Sequence, residues 1–330
     1  MSTFEQPGRR PAPFDRSQLL DVIKGRMPQN HQDAVEVLGR VNATYVESGR
    51  DVVITEVFHK YLSWLLADQR YGRTGKGQAF YITGDSGAGK TDVVEHLLKT
   101  NPAMAPVPGP HGPIAPYVSV KLQGSATLRA VGSTLLRQAG YTARRESRQN
   151  VIWETLAEDL VARNILIVHI DEPQHLIESN ADVMKVANNL KSLVNHVPPV
   201  GLILSGLPST NDILAVDEQS ERRQFSVDLP PLDIGAERFV VEDIIKQLCA
   251  AAGLESKAFT VSDMPERLAH AANYQFGRIC EVLITGIHQA VLQGDTELTR
   301  DHMADAYMDH SHTRGRDHMN PFLIDNWAQL

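Results

Sequence analysis

The residues of this chain best equipped for chemistry stand together in Gly84-Asp85-Ser86-Gly87-Ala88-Gly89-Lys90-Thr91, the pattern GxxxxGKT. Each residue type has a physical task in holding a polyphosphate. Glycines let backbone N–H groups turn inward around phosphate oxygens, the lysine reaches the β- and γ-phosphates, and the threonine hydroxyl ligates Mg²⁺. A surface glycine turn has a similar composition, but the flanks separate the two readings. Residues 79–83 read as a buried strand, and 92–100 as a helix whose N-terminus faces the phosphates. A nucleoside triphosphate site is the expectation.

The second chemical signal is Ile165-Leu166-Ile167-Val168-His169-Ile170-Asp171-Glu172. An apolar run ending in two acids puts those carboxylates at the carboxyl end of a central strand, where open α/β sheets gather their ligands. Such runs also arise by chance. This one lies 81 residues after Lys90 in a matching series of strands and helices, which makes it specific. Asp171 is then expected to hold Mg²⁺ with Thr91, directly or through water. Glu172 is expected to orient and deprotonate a water for in-line attack on the γ-phosphate.

These side chains need a scaffold, and the remaining sequence describes one. Helical patterns cover 16–24, 31–48 and 54–69. Strands are expected at 79–83, 116–121, 165–170, 201–205 and 225–229, with helices at 92–100, 127–139, 151–163 and 183–197, and a Pro/Gly-rich connection over 101–112. Strands alternating with helices imply an α/β fold: a parallel five-stranded sheet flanked by helices. After Pro230-Pro231 the β signal ends. Residues 238–252, 265–272, 278–292 and 299–309 read as a small all-α unit. The expected organisation is an N-terminal extension (1–50), an α/β core (51–232), a helical lid (233–310) and a flexible tail (311–330).

With 330 residues and 42% hydrophobic content the chain can bury a full core. No run approaches bilayer length, and the opening MSTFEQPGRRPAPF lacks the apolar stretch of a secretory signal, so a cytoplasmic protein with no membrane partner is expected. Cys249 and Cys280 lie in apolar helical patterns and read as reduced, packed thiols. The formal charge of −8 argues against a generally basic coat for nucleic acid. Between 121 and 150, however, Lys121, Arg129, Arg137, Arg144, Arg145 and Arg148 face Glu146 as the only acid, which marks either a solvated helix face or a phosphate-contacting patch. His302, His310, His312 and His318 have neither companion cysteines nor a fixed spacing, so solvated histidines are expected there rather than a metal site. Asn320-Pro321-Phe322-Leu323 and Trp327 place apolar residues in a segment too short for its own core; they dock on this protein or on a partner.

Other phosphate-loop classes are disfavoured by what is missing. There is no Asn-Lys-x-Asp for guanine selectivity and no LSGGQ-like signature of transporter ATPases. Asp171-Glu172-Pro173-Gln174 is similar to the D-E-x-Q box of superfamily-one helicases, yet 233–330 is too small and too helical for their second motor domain. A single α/β module followed by a helical lid resembles the AAA+ arrangement. On that resemblance Ser205, at the end of the fourth strand, stands at the sensor-one position, although a plain Ser-Gly turn also explains it. Arg222 and Arg223 stand where the family carries an arginine finger, Arg223 being preferred, with an exposed salt-bridging pair as the alternative. Arg278 stands where the sensor-two arginine opens a lid helix, against an ordinary surface arginine.

Over about residues 35–310 the chain resembles, at finer grain, the TniB and TnsC regulators of DNA transposition, relatives of MuB. The segments that carry this are GDSGAGKT (84–91), ILIVHIDEPQHL (165–176), GLILSGLPST (201–210), DEQSERRQFSVDLPPL (217–232) and YQFGRICEVLITGIHQAV (274–291). The chain departs from those relatives at Gly206-Leu207, where they commonly show Gly-Thr, and at Arg223-Gln224, where they show Arg-Phe. The resemblance implies ATP hydrolysis with ATP and Mg²⁺ as cofactors. It further implies ATP-bound subunits that self-associate into rings or filaments around double-stranded DNA, a transposase and a TniQ-type targeting protein as partners, and hydrolysis that drives disassembly. Lys121, Arg129, Arg144, Arg145 and Arg148 are the DNA-contact candidates, because the region after the second strand lines the pore in related ATPases. A DNA-independent remodeller of protein complexes, a nucleotide-gated switch with negligible turnover and a helicase fragment are the alternatives.

Overall fold

The computed structural model describes residues 15–71, 79–109, 112–124, 126–141, 149–176, 180–213, 224–311 and 317–329. They form two compact units. The first comprises 47–237 together with 272–278, and the second comprises 1–46, 238–271 and 279–330.

The first unit is an α/β sandwich. After helix α3 (Gly49–Tyr71) come β1 (Ala79–Gly84), α4 (Lys90–Thr100), a short hairpin of β2 (Val107–Gly109) and β3 (Gly112–Ile114), and β4 (Tyr117–Lys121). Then follow α5 (Leu128–Gln138), α6 (Gln149–Ala162), β5 (Ile167–Asp171), α7 (Asn180–Val194), β6 (Gly201–Gly206) and β7 (Gln224–Leu229). The strands pair in the order β4-β5-β6-β1-β7, and every pairing is parallel. The three central strands are buried along their whole length, which is why they read as continuous apolar runs in the sequence. Edge strand β4 instead alternates half-buried and buried positions up to an exposed Lys121.

Side-chain alternation divides the sheet into two faces. Val118, Val120, Val168, Ile170, Leu202 and Leu204 point into one large core with α5, α6 and α7. The intervening positions, including Ser119, His169, Asp171 and Ser205, therefore belong to the face covered by α3 and α4. There, Phe58, Tyr61 and Phe80 form a buried aromatic cluster, with Tyr61 stacked on Phe80 at 5.8 Å. The Tyr61 hydroxyl donates to Leu202 O at 3.3 Å. Helix α3 can come this close because residue 201 is glycine: a Cβ there would meet Tyr61 Oη at 2.4 Å and Leu65 Cδ2 at 2.5 Å.

The expected connection over 101–112 gives way at its end to the paired strands β2 and β3, which proline and glycine conceal from propensity reading. Their pairs, Val107 with Ile114 and Pro108 with Pro113, offer little β signal of their own.

The second unit is helical. It holds α1 (Arg16–Lys24), α2 (Gln29–Ala43), most of α8 (Ile234–Ala252), α9 (Lys257–Val261), α10 (Met264–Ala271), most of α11 (Phe276–Gln293) and α12 (Arg300–Ser311). Asn30 donates to Leu292 O at 3.1 Å and Arg40 to Ala251 O at 3.3 Å, which ties the N-terminal helices to this unit. The flexible tail expected from 311 onward needs correction over 317–329. Phe322 and Asn320 are fully buried, Arg267 donates to Pro321 O at 2.7 Å, and Arg300 donates to Phe322 O and Leu323 O. The physical reason is that these carbonyls satisfy a buried guanidinium while Phe322 packs edge-on to Tyr307 at 5.8 Å between ring centroids. Among the described residues no helix is long and apolar enough to cross a membrane. Cys249 is a packed thiol whose burial pushes its ionisation up to about 12, so it is inert as a nucleophile.

Gly201→Ala should destabilise the α/β unit by about 1–3 kcal/mol through overpacking against Tyr61 and Leu65. Denaturant unfolding followed by far-UV circular dichroism checks this, and an unchanged midpoint would refute the close approach of α3.

Candidate functional site

The loop 84–89 leaves the carboxyl end of β1 and enters α4 through Gly87 (φ 85°) and Gly89 (φ 87°), both in left-handed conformations that glycine adopts without strain. Lys90 and Thr91 form the first turn of α4. The Lys90 ammonium is buried at 4% exposure, donates to Gly84 O at 3.0 Å and Asp85 O at 2.9 Å, and lies 3.8 Å from Glu172 Oε1. Asp85 and Ser86 are exposed at the loop tip, and Ala88 is buried.

Parallel pairing brings the second motif to the same place. Asp171 ends β5 and Ser205 lies opposite it on β6. The Asp171 carboxylate is 1% exposed, and both of its oxygens are engaged: Thr91 Oγ1 donates to Oδ2 at 2.7 Å and Ser205 Oγ donates to Oδ1 at 2.6 Å. A buried carboxylate needs such donors, and hydrogen bonds to a charged acceptor are the strong kind. Ser205 is itself fully buried, and its hydroxyl proton is committed to Asp171.

Glu172 follows with φ 58°, a left-handed backbone that is costly outside glycine and concentrates at functional positions. Its N–H donates to Ser205 O at 2.7 Å, and Gln174 Nε2 donates to its carboxylate. Thr210 in turn donates to Gln174 Oε1 at 3.5 Å. Residue 206 must be small to admit this clamp, since a Cβ there would lie 2.6 Å from Gln174 Oε1 and 2.5 Å from Thr210 Oγ1.

Three groups in the site have tasks that the sequence does not state. His169 lies one strand pitch below Asp171, contacts Ser205 Oγ through Nε2 and Ser119 Oγ through Nδ1, both at 2.8 Å, and is fully buried. Burial pushes its ionisation down to about 4, against the pull of the Asp171 and Glu95 carboxylates, so the ring is neutral at physiological pH. Gln174 was quoted only as part of a helicase-like box. Gly277 allows the segment 272–278 to lie on the phosphate loop: a Cβ there would meet Gly87 O at 2.8 Å and Gly89 N at 3.0 Å. Arg278 N donates to Gly87 O at 3.0 Å, which seats the first turn of α11 on the loop and leaves the Arg278 side chain exposed. Gln275 Nε2 reaches Asp85 Oδ2 at 3.5 Å.

Of the basic candidates, Lys121 is exposed at the end of β4 in register with Asp171, and Arg129 is exposed in the first turn of α5. Asp92, near Lys121, has its carboxyl raised by desolvation, then by Glu95, with Asp171 acting in the same sense and Lys121 opposing. Arg144, Arg145, Arg148, Arg222 and Arg223 lie outside the described residues. His302 is held between Asp295 at 2.9 Å and Thr299, a structural arrangement at the start of α12, and the side chains of His310 and His312 also fall outside the described set. Among the described residues no group of three His, Cys, Asp or Glu side chains is placed to share a metal.

Residues 73–214 match the family model described as an AAA domain, somewhat less than half of the chain. No curated protein sequence matches significantly. Among solved structures, the ORC2 protein of Aeropyrum pernix in its ADPNP-ADP complexes is similar at TM-score 0.58 and 17% identity, over 84% of this chain and 73% of that one. The ORC1 protein of Aeropyrum pernix in complex with DNA gives TM-score 0.57 and 16% identity over 82% and 67%. Cdc6p from Pyrobaculum aerophilum gives 0.51 and 14% over 82% and 70%. At such identities the likeness is one of fold. The chain thus has the P-loop AAA+ fold, with an AAA domain over 73–214 and structural similarity to the ORC2, ORC1 and Cdc6p proteins.

Proposed function

We propose that this chain is a Mg²⁺-dependent ATP hydrolase whose ATP-bound subunits assemble on duplex DNA and regulate a transposase, with hydrolysis releasing the assembly. The observation that carries the chemical part is the convergence of Lys90, Thr91, Asp171 and Glu172, from two segments about 80 residues apart in sequence, at one end of the sheet, with Thr91 and Asp171 bonded at 2.7 Å. Thr91 and Asp171 would hold the metal. Their donor set is oxygen only, a hydroxyl beside a carboxylate, which suits a hard cation that retains much of its water. When bound, Mg²⁺ supplies charge neutralisation at the phosphate oxygens.

The protein's own groups do the rest. Backbone N–H groups of 84–89 and the N-terminus of α4 hold phosphate oxygens, and Lys90 neutralises the β- and γ-phosphates. Glu172 orients the attacking water and takes its proton, while Gln174 holds that carboxylate. Arg223, as a finger acting from the neighbouring subunit, and Arg278 would stabilise charge on the transferring group.

The DNA and transposition parts rest on the resemblance to TniB and TnsC carried by 84–91, 165–176, 201–210, 217–232 and 274–291. The fold likeness to an ORC1 protein solved with DNA adds support. A second reading, a DNA-independent AAA+ remodeller, draws on the net charge of −8. The two separate on one measurement: duplex DNA stimulates ATP hydrolysis under the first and leaves it unchanged under the second.

Lys90→Ala should abolish ATP binding in calorimetry and, with it, assembly on DNA seen by electron microscopy; retained binding would remove the phosphate loop from the account. Glu172→Gln should keep ATP binding, lower phosphate release by about 10²–10⁴-fold and trap assemblies on DNA. Turnover in that variant equal to wild type would eliminate the base role, and negligible turnover in both would favour a binding switch. DNA affinity should fall linearly on a log–log plot against salt, with a slope of about −0.9 per phosphate contacted, as fluorescence anisotropy on unrelated sequences would show.

A further inference from the structure

The hydrogen bonds beneath Asp171 run in one direction only. An ionised carboxylate accepts and never donates, so the 2.6 Å contact with Ser205 Oγ uses the serine proton. The 2.8 Å contact between Ser205 Oγ and His169 Nε2 must then be an N–H donation from the ring. The other ring nitrogen, Nδ1, meets the Ser119 hydroxyl at 2.8 Å. Reversing the chain would point an oxygen lone pair at a carboxylate oxygen 2.6 Å away in a dry layer, where Asp171, His169 and Ser205 are each at most 1% exposed.

We propose that His169 is a positioning residue for Asp171: donating its Nε2–H to Ser205 of β6 and meeting Ser119 of β4 through Nδ1, it fixes the orientation in which the carboxylate meets Thr91. The geometry explains why an imidazole interrupts the apolar run 165–170. Ser119 lies directly opposite His169 and Ser205 directly opposite Asp171, so one ring spans from β4 to β6 across β5. A purely apolar side chain would remove the ring from the half-buried Ser119 hydroxyl and from the buried Ser205 oxygen, and free Ser205 to turn away from the carboxylate. Orientation of a metal-holding group by an outer partner typically matters about 10- to 100-fold in metal affinity. The inference rests on the reading of Thr91 and Asp171 as the Mg²⁺-holding pair.

Two measurements on the full chain test it. Two-bond ¹⁵N–¹H correlation spectra at neutral pH, with the His169 signals assigned by their loss in His169→Gln, should show a proton on Nε2 without any nucleotide present. A bare Nε2 would overturn the proposal. Calorimetric titration of ATP with Mg²⁺ and with EDTA should show that His169→Leu raises the Mg²⁺ concentration for half-maximal tight binding about 10-fold while EDTA affinity stays unchanged. His169→Gln, which keeps a donor toward Ser205, should recover most of the loss, and Ser205→Ala should add little in combination with His169→Leu. A His169→Leu protein with the wild-type Mg²⁺ response would overturn the proposal. A wild-type protein that binds no ATP would instead overturn the ATP reading and leave the Nε2–H assignment standing. If His169→Leu does not fold, the wild-type spectrum still decides.

Discussion

The arrangement depends on a buried carboxylate that two hydroxyls hold from opposite sides. Asp171 is 1% exposed, and placing its charge there without donors would cost several kcal/mol. Thr91 meets it from the first turn of α4 and Ser205 from the neighbouring strand, so the charge is tolerated only when β1 with its loop, β5 and β6 lie in the observed order. The same two bonds that satisfy the carboxylate therefore register the phosphate loop against the central strands. A fold that misplaced β6 by one residue would turn Ser205 to the opposite face and leave Oδ1 bare.

Much of this was legible because central parallel strands are covered on both faces and so appear as unbroken apolar runs. The strands at 79–84, 167–171 and 201–206 were visible for that reason, and the acids ending one of them pointed to the carboxyl edge. Strand register was not legible, because nothing in ILIVHID states which residue of another strand will lie beside His169. Ser119 and Ser205 come from segments 50 residues before it and 36 after, so their contact with the ring exists only in the assembled sheet. The hairpin at 107–114 was hidden by prolines and glycines that argue against strands, whereas the apolar residues at 320–323 and 327 pointed to docking without stating that Arg267 and Arg300 would receive them. Gly277 illustrates a third kind of silence. A glycine in a helical pattern signals only a weak helix start, whereas its reason here is a backbone from a distant segment lying within van der Waals reach of residues 87 and 89.

Electrostatics separate the two acids at the end of β5. Asp171 is enclosed and bonded by a hydroxyl at each oxygen, which holds the carboxylate in one orientation. Glu172 is partly open, sits on a left-handed backbone, and is held by Gln174 at one oxygen with the Lys90 ammonium 3.8 Å from the other. Adjacent carboxylates with such different surroundings are suited to different tasks, one to hold and one to exchange a proton. The backbone strain at Glu172 is what swings its side chain away from the strand's alternation and toward the loop.

The phosphate loop itself has two supports. From below it is fixed by β1 and by the close approach of Gly84 to Leu229 on β7, where a Cβ would stand 2.7 Å from the carbonyl oxygen. From the other side it is fixed by 272–278, through Arg278 N on Gly87 O and the bare Cα of Gly277. Gly87 thus commits its carbonyl to the first turn of α11. Loop residues 87–89 and 275–278 constrain one another, since an added Cβ at Gly87 would lie 3.2 Å from Arg278 Cβ and one at Gly277 would lie 2.8 Å from Gly87 O. Arg278 is carried on this turn, and its distance from the loop is set by main-chain geometry rather than by its own flexible stem.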